Sequence, residues 1–231
     1  AFDCRFPALD GGTPMGLTGV NGSGKSQFIE ALAEVFCFMD AATLGYVGAN
    51  PMVRWRNLDF LVEYTLSDGV EVQVARQGSG LAVTTSVDGS NPIHVDEVRR
   101  VLPAQVCAYS SGFNETMSLP FRYLEAQYSE AVRKGAKDNQ TDPRRPFSYW
   151  LDLDANNRVL LCNLLLSTTD AREHLRKIVG VEELSSFKIR IRLRTHSGKP
   201  IGLTDDLADA IRRLGDCASH RDFNGTEGTL H

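Results

Sequence analysis

Eight residues near the N-terminus, Gly19-Val20-Asn21-Gly22-Ser23-Gly24-Lys25-Ser26, set three glycines, a lysine and a hydroxyl at the spacing G-x-x-x-x-G-K-[ST]. The chemistry that such a set performs is the holding of phosphate groups. Glycine at positions 19, 22 and 24 allows positive φ and lets phosphate oxygens approach where a Cβ would stand in the way. Amides from about Gly22 to Ser26 would line a nest for a β-phosphate. A helix starting near Lys25 would add its positive end to that anion site. Lys25 would reach the β- and γ-phosphates as a point charge, and the Ser26 hydroxyl would ligate Mg²⁺. The expected binding set is Gly19, Asn21, Gly22, Ser23, Gly24, Lys25, Ser26 and Gln27, with ATP and Mg²⁺ as cofactors. A chance glycine-rich turn fits less well, because the whole eight-residue pattern and a strand–loop–helix frame agree.

The surrounding sequence supplies elements to position this loop. Met15 to Thr18 reads as a short buried strand leading into the glycines. From Ser26 the period changes, and Phe28, Ile29, Leu32, Val35 and Phe36 fall on one helical face. "LGYVGANP" ends that pattern. Residues 58–87 read as an antiparallel meander: "LDFLVEYTL", "VEVQVAR" and "LAVTTSV" alternate or are β-branched, with Ser67-Asp68-Gly69 and Gln77-Gly78-Ser79-Gly80 as turns. Asp96 to Leu102 fits a short helix stopped before Pro103. "AQVCAY" (104–109) is an expected strand and "SSGFNETMS" the loop after it. Phe121, Leu124, Tyr128 and Val132 mark another helix. The polar run 133–146, with Gly and Pro, is expected to be a mobile loop. "FSYWLDLD" follows as a strand, Ala155 to Leu166 as a buried helix, and Ser167 to Val179 as a helix closed by Gly180. Thr204 or Asp205 caps a last helix running to about Cys217.

Several kinds of machine use a P-loop. No N-K-x-D base-reading motif follows it, which argues against a GTPase; "DFNG" (222–225) has no apolar strand before it. A small-molecule kinase would not usually place an antiparallel meander directly after the first helix. That insertion favours ABC-like ATPases. The wording G-x-N-G-S-G-K-S, with Asn21, resembles the form common in chromosome-maintenance (SMC) and RecF ATPases. Four further stretches resemble one prokaryotic family, the restriction-system-associated AAA ATPases: "VCAYSSGFNETMSLPF" (106–121), "LDANNRVLLCNLLLS" (153–167), "FKIRIRLR" (187–194) and "LGDCASHRDFNGTEGTLH" (214–231). With the P-loop they spread over nearly the whole chain. The resemblance implies an ABC-type ATPase of antiviral defence. ATP would sit between two copies and bring them together, and a nuclease or other effector would be the partner.

Hydrolysis needs an acid at the end of an apolar strand to help hold Mg²⁺ and polarise water. Asp96-Glu97 in "IHVDEV" reads instead as the first turn of a helix, where acids suit the dipole. "YWLDLD" offers Asp152 and Asp154 without a paired acid. "YSSGFNE" (109–115) resembles a γ-phosphate-clamping signature loop, a sensor loop or a simple turn; Asn114 and Glu115 are its residues to test. The weak catalytic candidates are therefore Glu115 and Asp152. The C-terminal "EGTLH" reads as a strand start, so the expectation is an N-terminal part of a longer ATPase. Its missing acids would lie further on.

Bulk properties bound the rest. The 231 residues carry a net charge of −4 and are 42% apolar, enough for one or two domains. The domain reading is 1–132 for an ATPase core with the meander, 133–146 for the loop, and 147–231 for an α/β continuation. The fold class is α/β, of ABC/SMC-like P-loop type with an antiparallel β-subdomain and an inserted helical segment. No apolar run approaches the roughly 18 residues of a membrane span. Nor does the N-terminus have the pattern of a signal peptide. Cys4, Cys37, Cys107, Cys162 and Cys217 show no zinc spacing and read as buried reduced thiols of a cytoplasmic protein. Lys188, Arg190, Arg192 and Arg194 form a basic stripe. A solvated edge-strand face explains it better than DNA binding, since the chain is acidic overall. Two other functions stay open: a P-loop kinase or transferase on a small substrate, and a nucleotide-gated scaffold that does not hydrolyse ATP.

Overall fold

Helix α1 (Lys25–Thr43) begins where the glycines end, at Gly24, whose φ of 86° only glycine adopts cheaply. A computed structural model describes this helix and the rest of the chain at residues 16–48, 55, 58–87, 95–110, 115–137, 142–152, 168–170, 172–173, 177, 180, 189–193, 197–217, 221–223 and 227–230. The expected apolar face holds only in part. Ile29 is 43% exposed, whereas Ala33 to Ala41 are buried almost all round. The cause is that α1 runs between two layers, and each takes a different face.

One layer is the meander, residues 58–87 as the alternation predicts. Strands β1 (Leu61–Thr65), β2 (Glu71–Gln77) and β3 (Gly80–Thr85) pair antiparallel in that order. Period-2 geometry sends Val72, Val74 and Val83 inward, where they join Val35 and Met39 of α1. Asp68 accepts the Val70 N–H at 3.2 Å, and Gly69 takes φ 86°, closing the first turn. Helix α2 (Val95–Val101) adds Val98 to the same core, and Leu102 follows it there. The Tyr64 hydroxyl donates to the Val101 carbonyl at the end of α2.

The other layer is a crossover. Strands β4 (Val106–Tyr109) and β5 (Ser148–Leu151) are parallel neighbours, Val106 opposite Ser148 and Tyr109 opposite Leu151. Helix α3 (Glu115–Lys137) connects them, as a parallel pair requires. Its Met117, Phe121 and Leu124 pack on Ala33, Cys37 and Ala41, with Ala108 and Trp150 of the strands beside them. Thus Val35 and Met39 face one layer, and Ala33, Cys37 and Ala41 the other.

Two expectations are corrected here. Helix α3 begins at Glu115, so Met117 and Ser118 are buried helix residues and not loop. It also runs to Lys137, into the segment expected to be a mobile loop, and Ala136 is buried. Arg133, Lys134, Ala136 and Lys137 are good helix formers, and Glu130 meets Arg133 at 2.6 Å. Residues 142–147 are coil, but Pro146 and Phe147 are buried.

The last described elements are β6 (Ile189–Arg192), α4 (Asp205–Cys217), β7 (Arg221–Phe223) and β8 (Glu227–Leu230). The three strands form an antiparallel sheet in the order β6-β8-β7, so β8 is its middle strand and β6 an edge. Thr204 caps α4 as its sequence predicts: its Oγ1 accepts the Leu207 N–H at 3.4 Å. The fold is therefore mixed α/β, with one parallel pair and two antiparallel sheets. Residues 169–170, 172–173 and 177 are helical, and Gly180 has φ 70°, in line with the expected cap. The expected helix at 155–166 lies outside the described residues. Cys37 is buried as expected, but Cys107 is exposed on β4.

Candidate functional site

The glycine loop folds over its own lysine. Lys25 Nζ donates to the carbonyls of Gly19 and Val20, each at 2.8 Å, and lies 3.3 Å from Ser23 Oγ. The ammonium is thereby held at the centre of the turn that the motif defines. Gly22 and Gly24 have φ of 83° and 86°, and Ser23 N–H closes on the Val20 carbonyl at 3.2 Å. Two left-handed glycines thus flank Ser23, the kind of backbone from which anion nests are built. A Cβ on Gly24 would stand 3.5 Å from the Gln27 side-chain oxygen, which places Gln27 beside the loop.

The start of α1 is left electrostatically open. Gly24 has no side chain with which to cap it, and its first turn holds no acid. The positive end of a 19-residue helix therefore faces the loop with no carboxylate of its own first turn to offset it. Ser26 sits in that first turn, exposed, as does Gln27. Asn21 is exposed on the loop. All eight expected binding residues are thus brought together at one end of α1.

The strand expected before the loop is not formed at residues 16–18. They carry no ladder, and Leu17 is 44% exposed. An extended segment becomes a strand only when its N–H and C=O groups meet a neighbour. Both described neighbours of the parallel pair, β4 and β5, pair with each other. Met15 lies outside the described residues.

The acids fall in different places. Asp96 and Glu97 belong to the first turn of α2, as their sequence predicts, and do not end a strand. Asp152 directly follows β5, at the carboxyl end of a parallel strand, where ligands of open α/β sheets gather. Glu115 is exposed at the first residue of α3, the next described element after β4. Asn114 and Asp154 lie outside the described residues. Among the described residues no group of three or more His, Cys, Asp or Glu converges on a metal position. A magnesium ion brought by a nucleotide does not need one: it keeps several waters and takes one or two protein oxygens. Of the basic stripe, Arg190 is exposed on β6, while Lys188 and Arg194 lie outside the described residues.

A concavity of about 590 Å³ on the meander is lined by Glu63, Glu71, Gln73, Thr84 and their neighbours, none of them in the loop. Two carboxylates there oppose an anionic ligand. No described helix is long and apolar enough to cross a membrane.

One functional-looking residue has no motif. Asp40, near the far end of α1, has no solvent exposure. Its Oδ2 accepts the N–H groups of Phe147 at 2.7 Å and Ser148 at 2.8 Å, and its Oδ1 lies 3.4 Å from Arg99 Nη1. Burial raises its carboxyl above the ordinary value, against the opposing pull of the Ser148 amide, Arg99 and the Phe147 amide. Burial likewise lowers Arg99. Both shifts run against the ion pair, so desolvation is the larger effect. In sequence Asp40 reads as an ordinary polar position of an amphipathic helix. Only the second packing layer reveals it.

Family models, curated proteins and solved structures were all compared with the chain, and none matches.

Proposed function

We propose that the Gly19–Ser26 loop binds ATP with Mg²⁺, and that the chain is an ATP-binding module of ABC/SMC-like type. In this reading it serves a prokaryotic antiviral or restriction-associated system. ATP-dependent association of two copies would control a nuclease or other effector. The observation that carries the nucleotide reading is the Lys25 ammonium, held at 2.8 Å by the Gly19 and Val20 carbonyls at the open start of α1. A lysine bonded to loop carbonyls, with no carboxylate partner among those bonds, sits where it can serve phosphate oxygens. The meander between α1 and α2 supports the ABC-like class, because such ATPases insert an antiparallel subdomain there.

Lys25 and the amides of Gly22, Gly24, Lys25 and Ser26 would hold the phosphates, the Ser23 N–H being committed to the Val20 carbonyl. Ser26 would supply a magnesium ligand, and the bound ion would neutralise phosphate charge. Asn21 and Gln27 flank the loop. Titration calorimetry with Mg-ATP tests the reading: micromolar binding that Lys25→Ala weakens about tenfold to a hundredfold is expected. Equal binding by wild type and Lys25→Ala would overturn it.

A second reading, a nucleotide-gated scaffold without turnover, draws on the placement of Asp96 and Glu97 in a helix. It leaves Asp152 as the described acid that follows a parallel strand. Phosphate release distinguishes the two: turnover lost in Asp152→Asn supports an ATPase, whereas binding without any release supports the scaffold.

A further inference from the structure

Residues 142–148 form a short strap tied at both ends and in the middle to different elements. At its start, Asp142 accepts a hydrogen bond from Thr204 Oγ1, the residue that caps α4. In its middle, the Arg145 carbonyl accepts from Arg99 of α2. At its end, the Phe147 and Ser148 amides donate to Asp40 of α1, and the Phe147 carbonyl accepts the Val106 N–H at 2.8 Å. The Arg99 guanidinium also stands 5.4 Å from the centre of the Phe147 ring. Gly202, just before the α4 cap, is close enough to α3 that a Cβ there would lie 3.1 Å from the Ala136 carbonyl.

Two facts make this arrangement more than local stitching. First, the carboxylate that holds the strap stands on the same helix as the glycine loop. From residue 25 to residue 40 the distance is roughly 22 Å at 1.5 Å per residue. Helix α1 runs unbroken from Lys25 to Thr43 and is buried nearly all round over Ala33–Ala41, so one continuous element joins the loop to Asp40. Second, a fully buried carboxylate is an expensive way to accept two amide bonds. An apolar residue would pack as well, but it would not bind α1 to the strap.

We infer that Asp40 is a positioning residue whose grip on the 142–148 strap couples nucleotide occupancy at the Lys25 loop to the first turn of α4. The inference rests on the nucleotide reading above. Asp40 and the loop move together as one helix. Phe147 and Ser148 follow Asp40, and Asp142 passes the displacement to Thr204. Helix α4 is the output, because its cap is the far anchor of the strap.

Amide hydrogen exchange on the full chain, with and without Mg-ATPγS, tests the coupling. Saturating ATPγS is expected to slow exchange at Phe147, Ser148, Leu207 and Ala208 by about fivefold or more. In Asp40→Asn, calorimetric affinity for ATPγS should stay within about threefold of wild type, while the slowing at Leu207 and Ala208 falls below about twofold. Asp142→Ala cuts the strap at its other end and keeps both Asp40 and the Thr204 cap. There the response at Phe147 and Ser148 should persist and that of Leu207 and Ala208 should vanish. This second variant decides the matter if Asp40→Asn does not fold. Nucleotide binding with no wild-type response at these amides, or an α4 response unaltered in both variants, overturns the coupling and leaves the nucleotide site standing. Absence of any nucleotide binding by the wild type removes both.

Discussion

Arg99 of α2 meets Asp40 of α1 at 3.4 Å, with the carboxylate wholly out of solvent and the Arg99 side chain 18% exposed. The pair joins two helices 59 residues apart in the chain. Removing Arg99 leaves the Asp40 carboxylate buried with its charge balanced only by the Phe147 and Ser148 amides. Arg99→Met is therefore expected to cost on the order of 2–4 kcal/mol, read as a fall in the urea midpoint with an unchanged slope. A loss under about 0.5 kcal/mol would show that the pair is not formed in solution.

The same carboxyl sets a pH dependence. Its value in the folded chain lies above its ordinary 3.8, so folding binds the proton more tightly. The stability that this gives is fully present below pH 3.8 and is lost as pH rises through the folded value. Asp40→Asn cannot ionise. Its stability relative to wild type should therefore improve as pH rises from about 4 towards neutrality. Urea titrations at a series of pH values check the sign, and an improvement on lowering the pH would contradict it.

Lys25 is exposed apart from its loop contacts, so removing it should leave folding intact. Lys25→Ala should keep the wild-type melting temperature within a few degrees while nucleotide affinity falls about tenfold to a hundredfold. A large drop in melting temperature would make Lys25 a structural strut of the loop and not a ligand-binding group.

Gly24 holds φ 86° at the start of α1. Gly24→Ala forces a side chain into the left-handed region and should cost about 1–2 kcal/mol. The loop is the part that gives way, so nucleotide affinity should fall more than thermal stability. Parallel calorimetry and melting curves check the order of the two effects.

Thr204 is a buried cap with two roles, accepting from Leu207 and donating to Asp142. Thr204→Ala should cost about 1 kcal/mol, whereas Thr204→Ser should cost little, because the hydroxyl carries both bonds. Equal losses in the two variants would point to packing of the methyl group instead.

The local periods were legible in the sequence where one surface decides them. Val72, Val74 and Val83 alternate with polar residues because a single face of the meander is buried, and both turns carry their own Asp-Gly or Gly signals. Thr204 announced its helix for the same reason: capping is a matter of neighbouring residues. Helix α1 was legible in its extent, from the glycines to the break at Leu44, but not in its second buried face. Ala33, Cys37 and Ala41 are small, and they become a core face only when α3 arrives from far along the chain. The segment 133–137 looked like loop because it is charged; its helix is held by Ala136 and an i,i+3 ion pair. Asp40 had no local sign at all, since its partners are a main-chain segment and an arginine in other elements. Of the candidate site, the glycine loop was readable whole. The strand expected at 16–18 was not formed, because pairing depends on neighbours that local sequence does not specify.

The bonds from Asp40 to Phe147 and Ser148 span 107 and 108 residues. The meander, by contrast, closes between strands a few residues apart. During synthesis the hairpins can therefore zip as soon as they emerge, whereas the far end of α1 must wait with its carboxylate in water until the chain has grown past Ser148. Contacts of such separation slow folding because loop closure precedes their reward. A nascent chain halted short of Phe147 would carry the complete glycine loop on a helix not yet locked in place. Locking of the helix that carries the glycine loop is then timed by a segment more than a hundred residues downstream of that loop.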